Sequence, residues 1–145
     1  MKILLVCANG GHLSEMRELS RIYSEHDIHW ITYYGSDSKN IENAFFYTDY
    51  KSVYLKMAIQ LLTVWWLILR VKPDVMISTG AAIAIPSSIY MRLFLKKVVY
   101  IDCGTNIYNR SGTGKIMQYL ANLFLTQWPW MVGKYRNSQY WGGLR

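Results

Sequence analysis

The sequence has 145 residues, of which 52% are hydrophobic and 15% aromatic, and its formal net charge is +7. A chain of this length and composition suits one domain with a real core and excludes an intrinsically disordered protein. The basic excess favours an anionic partner such as a phosphorylated substrate, an acidic lipid or nucleic acid. Because the chain carries no recognisable nucleic-acid-binding module, we expect no nucleic-acid partner.

Apolar runs of strand length alternate with helical patterns along the chain. We predict strands at 2–8, 28–34, 51–55, 74–79, 98–103 and 123–128, and helices at 13–25, 56–71, 83–97 and 114–124. The strands are continuously apolar rather than alternating, which is typical of a parallel sheet covered on both faces. The predicted fold class is therefore α/β: a Rossmann-like parallel sheet with helices on both faces, forming one domain over residues 1–145.

Polar, glycine-containing turns follow three of the predicted strands. They are Asn9-Gly10-Gly11-His12, Ser78-Thr79-Gly80 and Asp102-Cys103-Gly104. Ligands of open parallel sheets bind beyond the carboxyl ends of the strands. We therefore expect these turns to meet at one edge and bind substrate, although simple packing beneath helix 83–97 explains the second turn equally well.

His12 is the residue of the first turn best suited to chemistry. Its imidazole titrates near neutral pH, so it can act as a general base or donate to phosphate, unless it only caps the helix. The glycines before it and the helix N-terminus after it favour an anion. The turn lacks the Gly-x-Gly-x-x-Gly pattern and its acidic partner, which argues against a dinucleotide site.

The stretch "SGTGKI" at 111–116 resembles a phosphate-binding loop but lacks two of its residues. Asn109 and Ile116 stand where the Walker pattern has glycine and serine or threonine, so we reject a nucleotidase of that type. Arg110 and Thr113 remain candidates for holding an anion at the start of the next helix.

The two cysteines, Cys7 and Cys103, form no Cys-x-x-Cys pair. We interpret both as reduced, buried thiols of a cytosolic protein. His26 and His29 are interpreted as surface or packing residues, because they lack neighbours at metal-ligand spacing. We therefore expect neither a metal site nor a cofactor.

Segment 57–71 carries no charged residue before Arg70. As a helix it would reach about 22 Å, which is short for a membrane span of about 20 residues. We expect a core helix, or one partly embedded in a membrane surface or buried against a partner. Trp65, Trp66 and the flanking basic residues are typical of the headgroup zone.

The last part of the chain is rich in large aromatic side chains. These are Trp128, Trp130, Tyr135, Tyr140 and Trp141. Such residues are favoured interface anchors, so residues 128–145 are predicted to form a partner-binding tail. The alternative is that the tail folds back on its own sheet.

Four stretches together resemble a known family: "CANGGHLSEM", "KPDVMISTGAAIAIP", "VVYIDCG…SGTGKIMQYLANLFLTQWP" and "YWGGL". They resemble PssD-type bacterial polysaccharide-biosynthesis proteins, which are homologous to the membrane-recruiting subunit of the split N-acetylglucosaminyltransferase of dolichol-linked oligosaccharide assembly. The resemblance implies the N-terminal, acceptor-side half domain of a GT-B glycosyltransferase. It departs from the family at Ile101-Asp102-Cys103, where Ile-Glu-Ser is common.

The resemblance also implies an activity and a set of partners. A small PssE-like subunit would bind most of the nucleotide-diphosphate sugar, and a hexosyl or N-acetylhexosaminyl group would pass to a lipid-linked saccharide in extracellular or capsular polysaccharide synthesis. The chain alone would be inactive or weak. It would be cytoplasmic and peripherally associated with the inner face of the plasma membrane, and helix 56–71 would make the membrane contact that the eukaryotic subunit makes with an N-terminal helix.

The resemblance assigns individual residues as well. Gly10, Gly11 and His12 match the glycine-rich loop facing the cleft, with His12 as the base for the acceptor hydroxyl and Glu15 supporting the loop. Two other functions stay open. The chain could be a non-catalytic scaffold that recruits and activates its partner at the membrane, or, least favoured, a stand-alone nucleotide-binding protein.

Overall fold

The computed structural model describes residues 1–144, which form seven strands, four α-helices and one short 3-10 helix. In chain order they are β1 (Lys2–Val6), α1 (Gly11–Ile22), β2 (Asp27–Tyr33), β3 (Ala44–Tyr47), α2 (Val53–Val71), β4 (Val75–Ser78), α3 (Ala84–Leu93), β5 (Lys97–Ile101), α4 (Gly112–Leu120), β6 (Leu123–Thr126), the 3-10 turn Pro129–Met131 and β7 (Ser138–Tyr140).

The strands make one sheet in the order β3-β2-β1-β4-β5-β6-β7, and each described pairing is parallel. At the centre, Leu4 of β1 pairs with His29 of β2 on one side and Met76 of β4 on the other. The parallel α/β class predicted from the continuous apolar strands is confirmed.

Alternate residues of the central strand enter two separate cores. Leu4 and Val6 pack with residues of α2, α3 and α4, whereas Ile3 and Leu5 pack with residues of α1. Because neighbouring side chains of a strand point to opposite faces, both faces of an all-apolar strand must be covered. Both cysteines are free and buried, as predicted.

The predicted strand at 51–55 is wrong, since this segment begins α2. The Ser52 hydroxyl caps the helix by accepting from the Leu55 N–H at 3.3 Å, which satisfies one of the free donors of the first turn. The third strand is instead β3, at the edge of the sheet. Starting at Val53 makes α2 19 residues long, about 28 Å at 1.5 Å per residue.

Two further segments differ from expectation. The predicted helix 83–97 ends at Leu93, because Leu95 takes a left-handed φ of +57° and the chain then enters β5. Part of the tail folds back on its own sheet: Ser138 of β7 pairs with Phe124 of β6, and Tyr135 is buried. Trp130, Tyr140 and Trp141 remain exposed.

Candidate functional site

The turns after β1, β4 and β5 meet at the carboxyl edge of the sheet, because these strands are neighbours in its centre. His12, in the first turn of α1, reaches the turn after β4. Its Nδ1 lies 2.9 Å from the carbonyl oxygen of Thr79, and the Thr79 hydroxyl donates to the His12 carbonyl at 2.8 Å. The imidazole is therefore held by both its ring and its backbone.

Gly80 makes room for the His12 ring. Its φ of +123° lies in a region that residues with a side chain rarely adopt. A Cβ at this position would also stand 2.8 Å from Cε1 and 3.0 Å from Nδ1 of His12. The second turn thus does more than pack beneath α3, since its glycine leaves room for the His12 ring.

Glu15 ties α1 to the turn after β5. This carboxylate is 2% exposed, and its Oε1 accepts from the Gly104 N–H at 3.1 Å. The Cys103 Sγ lies 3.9 Å from the same oxygen and accepts from the Thr105 hydroxyl at 3.2 Å. The buried Glu15 therefore connects α1 to the turn after β5 from inside the domain.

His12 and Cys103 influence each other electrostatically. A hydrogen bond with Cys103 raises the pKa of His12 and outweighs the burial that would lower it. Burial would raise the pKa of Cys103, but hydrogen bonds with His12 and Thr105 outweigh it and hold that pKa below its usual value. Because its pKa is raised, the His12 imidazole accepts a proton more strongly than an isolated histidine.

Asp102 holds together three segments. Its Oδ1 accepts from Asn106 Nδ2 and from the Ser111 hydroxyl, each at 3.0 Å, and its Oδ2 accepts from the Tyr135 hydroxyl at 2.9 Å. Burial raises the pKa of this carboxyl, although these hydrogen bonds oppose it. Both carboxylate oxygens of Asp102 accept hydrogen bonds from side chains of this protein. Asp102 therefore joins the end of β5 to the N-cap of α4 and to the tail.

The other predicted site residues of the first two turns make hydrogen bonds within the protein at this edge of the sheet, or begin α1. Asn9 accepts from the Thr32 hydroxyl at 3.3 Å, and the Gly10 N–H donates to Asp37 at 2.9 Å. Gly11 is the first residue of α1. The buried Ser78 hydroxyl accepts from the Gly80 N–H at 3.2 Å.

A cavity of about 250 Å³ opens beside the imidazole. Its lining is His12, Ala81, Tyr100, Cys103, Thr105, Asn106, Ser111, Gly112 and Thr113. Of the two residues predicted to hold an anion, Thr113 lines this cavity together with His12. Arg110 lies outside the lining and donates to the Lys134 carbonyl at 3.4 Å. The sequence predicts that the turn containing Cys103 lies at this edge and that its thiol is buried, but it does not predict the position of Cys103 beside His12.

A larger apolar cleft, of about 700 Å³, adjoins this cavity, and Thr105 lines both of them. Trp128 and Trp130 line the cleft with their rings stacked at 5.0 Å. Their indole N–H groups donate to the carbonyls of Gly104 and Ile107, at 2.9 and 2.6 Å. Both rings are therefore held rigidly where the tail meets the candidate site.

Fold and site geometry together define a Rossmann-like domain of the type that begins GT-B proteins. UDP-N-acetylglucosamine 2-epimerase from Rickettsia bellii superposes with a TM-score of 0.79 at 10% identity, covering 99% of this chain and 45% of the epimerase. MurG from Acinetobacter baumannii superposes with a TM-score of 0.71 at 14% identity, covering 89% and 42%. This chain spans less than half of either protein.

Residues 46–144 match the family described as "Oligosaccharide biosynthesis protein Alg14 like", and the chain belongs to this family. The human UDP-N-acetylglucosamine transferase subunit ALG14 is 27% identical over 179 residues, covering 99% of this chain and 83% of the human protein. The mouse ALG14 subunit is 33% identical over 84 residues, covering 54% of this chain and 39% of the mouse protein. The expected relationship to the split-transferase subunit is confirmed at the level of the family.

Proposed function

We propose that this chain is the acceptor- and membrane-side subunit of a two-chain glycosyltransferase of PssD type. It would help transfer a hexosyl or N-acetylhexosaminyl group from a nucleotide-diphosphate sugar to a lipid-linked saccharide in extracellular or capsular polysaccharide synthesis. Family membership and the names of the relatives, which are transferase subunits, support this reading. The observation that carries it is the fixed imidazole of His12 at the carboxyl edge of the sheet.

The contact between His12 and Thr79 determines which ring nitrogen can accept a proton. A carbonyl oxygen can only accept a hydrogen bond, so Nδ1 carries the proton and Nε2 keeps its lone pair. The acceptor hydroxyl would enter the cavity that His12 lines and donate its hydrogen bond to Nε2. As its oxygen bonds to the anomeric carbon, its proton passes to Nε2 and the bonding pair of the sugar–phosphate bond leaves with the nucleotide diphosphate.

A small PssE-like donor subunit supplies the nucleotide-sugar site in this proposal. The described chain offers one wall of a cleft, and its exposed Trp130, Tyr140 and Trp141 lie on the tail beside that wall. Trp141 and Leu144 also border an apolar groove of about 280 Å³ over β4, β5 and β6. Exposed tryptophan and tyrosine next to an apolar groove are typical of protein–protein interface centres.

The α2 helix provides the membrane contact. Among residues 1–144 it is the helix long and apolar enough to cross a membrane by length and composition. However, Val64 and Ile68 pack in the core, while Trp65, Trp66 and Leu69 are exposed, so one side is already covered by protein. A helix with this division suits the membrane surface better than a crossing, which supports the proposed peripheral association with the inner face of the plasma membrane.

The deciding experiment is a transferase assay on the complex purified after co-expression with its donor subunit. We expect His12→Ala to lose at least about a hundredfold in turnover, the usual range for a general base, while the complex stays intact. His26→Ala is the matched control, because that exposed histidine precedes β2 at the opposite edge of the sheet. Near-normal turnover of His12→Ala would exclude the base and favour the non-catalytic scaffold.

A further inference from the structure

Three side chains of the candidate site bring one potential metal ligand each within 4.8 Å of one another: His12, Glu15 and Cys103. His12 and Glu15 lie one helical turn apart on α1, and Cys103 follows β5. The Cys103 Sγ and Glu15 Oε1 are 3.9 Å apart. Two ligands of a tetrahedral zinc ion with bonds of about 2.0–2.3 Å stand roughly 3.5 Å apart, so only a small closure is needed.

Each of the three ligands is oriented by a partner outside the cluster. The His12 Nδ1–H donates to the Thr79 carbonyl at 2.9 Å, which leaves Nε2 as the ligating atom. Glu15 Oε1 accepts from Gly104 N–H at 3.1 Å, and Cys103 Sγ accepts from Thr105 Oγ1 at 3.2 Å. Hydrogen bonds of this kind fix the tautomer and direction of metal ligands in known sites.

We infer that His12, Glu15 and Cys103 form a binding site for a single Zn²⁺ ion. Thiolate, imidazole and carboxylate together suit this borderline-soft ion, whereas Mg²⁺ and Ca²⁺ prefer oxygen alone. His12 and Cys103 both line the 250 Å³ cavity, so an ion bound between them would border that cavity. This inference departs from the sequence-based expectation of no metal site, because α1 and the turn after β5 bring the three side chains together.

Zinc binding at this site releases one proton. The thiol of Cys103 loses its proton to solvent as the Zn–S bond forms, and the Nε2 lone pair of His12 becomes a zinc ligand. The inference does not depend on the proposed function. Where both hold, a zinc-loaded site has no free base, so Zn²⁺ inhibits transfer.

The test is titration of the purified, tag-free chain with Zn²⁺ alone, followed by calorimetry, and with Co²⁺ alone, followed by absorbance. We expect one ion per chain and a thiolate-to-cobalt charge-transfer band in the near ultraviolet. Cys103→Ser should abolish that band, and Glu15→Gln should weaken binding at least about tenfold. Cys7→Ala is the matched control, because Cys7 is fully buried and does not belong to the cluster, and it should keep both the band and the affinity.

A second measurement uses the unsubstituted chain and so does not depend on whether the variants fold. In the unmodified chain, Zn²⁺ should slow alkylation of Cys103 by iodoacetamide, as located by peptide mass spectrometry. His29→Ala should leave this protection unchanged, because His29 pairs with Asp27 at the other edge of the sheet. Three outcomes would each overturn the site. They are the absence of 1:1 binding, zinc binding that survives in a folded Cys103→Ser variant, and alkylation of Cys103 at the same rate with and without zinc.

Discussion

Thr79 and His12, 67 residues apart in the chain, hydrogen-bond each other in both directions. The Thr79 carbonyl accepts from the imidazole, and the Thr79 hydroxyl donates to the backbone carbonyl of His12. One residue at the end of β4 therefore orients both the ring and the helix that carries it. The contact with the His12 ring uses only the Thr79 carbonyl. A substitution of the Thr79 side chain therefore removes the hydroxyl contact alone.

Thr79→Val removes the hydroxyl donor while preserving the carbonyl and the shape of the side chain. We expect the free energy of unfolding to fall by about 1 kcal/mol, the usual net value of one hydrogen bond. Urea denaturation measures this change. Thr79→Ser keeps the donor and should recover most of the loss; equal losses in both variants would show that the hydroxyl contact contributes nothing.

Gly80→Ala should distort the site, because its Cβ would overlap the His12 ring and its backbone is left-handed. We expect a loss of about 1–3 kcal/mol of stability, the cost of holding a side chain in such a conformation. The matched control is Gly112→Ala, whose Cβ would meet no atom within 4 Å. Since Gly112 begins α4, the control should gain about 0.4–1 kcal/mol. Similar behaviour of the two variants would contradict the packing described at Gly80.

Tyr135→Phe tests the buried cluster around Asp102. The Tyr135 hydroxyl donates to Asp102 and accepts from the Ser111 N–H at 2.7 Å, so its removal leaves both groups short of a partner. We expect a loss of about 1–3 kcal/mol. Combined with Asp102→Asn, the two effects should be non-additive by about 0.5–3 kcal/mol in a denaturation cycle. Additive losses would mean that the two residues act independently.

Replacing both Trp65 and Trp66 by Gln should weaken binding to vesicles that contain anionic lipid. Burying one large apolar side chain contributes about 1.5–3 kcal/mol, so a loss of at least about tenfold is expected in co-sedimentation. The two residues are 42% and 50% exposed, so the folding stability of the variant is measured beside its vesicle binding. Trp141→Gln serves as the control, since that exposed indole lies on the tail; an equal loss there would show that the contact is not specific to α2.

Trp141→Ala should weaken binding of the donor subunit without destabilising the chain. Its ring is 68% exposed, and interface tryptophans often contribute 2 kcal/mol or more, which corresponds to about a thirtyfold change in affinity. Pull-down from co-expressing cells, followed by titration of the purified subunits, measures it. The Trp65/Trp66 variant is the matched comparison and should bind the partner normally. Unchanged affinity of Trp141→Ala would remove the tail end from the interface.

The sequence was sufficient to predict the fold class and the edge where the candidate site lies. Continuous apolar runs such as that of β1 specify a doubly covered strand, and turns after such strands necessarily meet at the carboxyl edge. His12 was recognised because a histidine beside two glycines at a strand end is chemically distinctive. The fold class and the position of His12 could be predicted because both depend on patterns of neighbouring residues, which one sequence is enough to show.

What could not be predicted depends on contacts between distant residues. Cys103 and Glu15 are 88 residues apart, and Tyr135 and Asp102 are 33 apart, so no periodicity reveals either meeting. The strand wrongly predicted at 51–55 has another cause. A short apolar run fits a strand or a helix start equally well, and only the capping geometry of Ser52 decides between them.

The parallel arrangement of the sheet also sets an order of events during synthesis. Because β4 must pair with β1 before Thr79 can meet His12, and β5 must follow before Gly104 can meet Glu15, the site completes late. The exposed tryptophans of α2 leave the ribosome before either event, since chains emerge from their N-terminus. A nascent chain thus displays the exposed tryptophans of α2 before the candidate site is assembled, so we expect contact with a bilayer or a chaperone to come first.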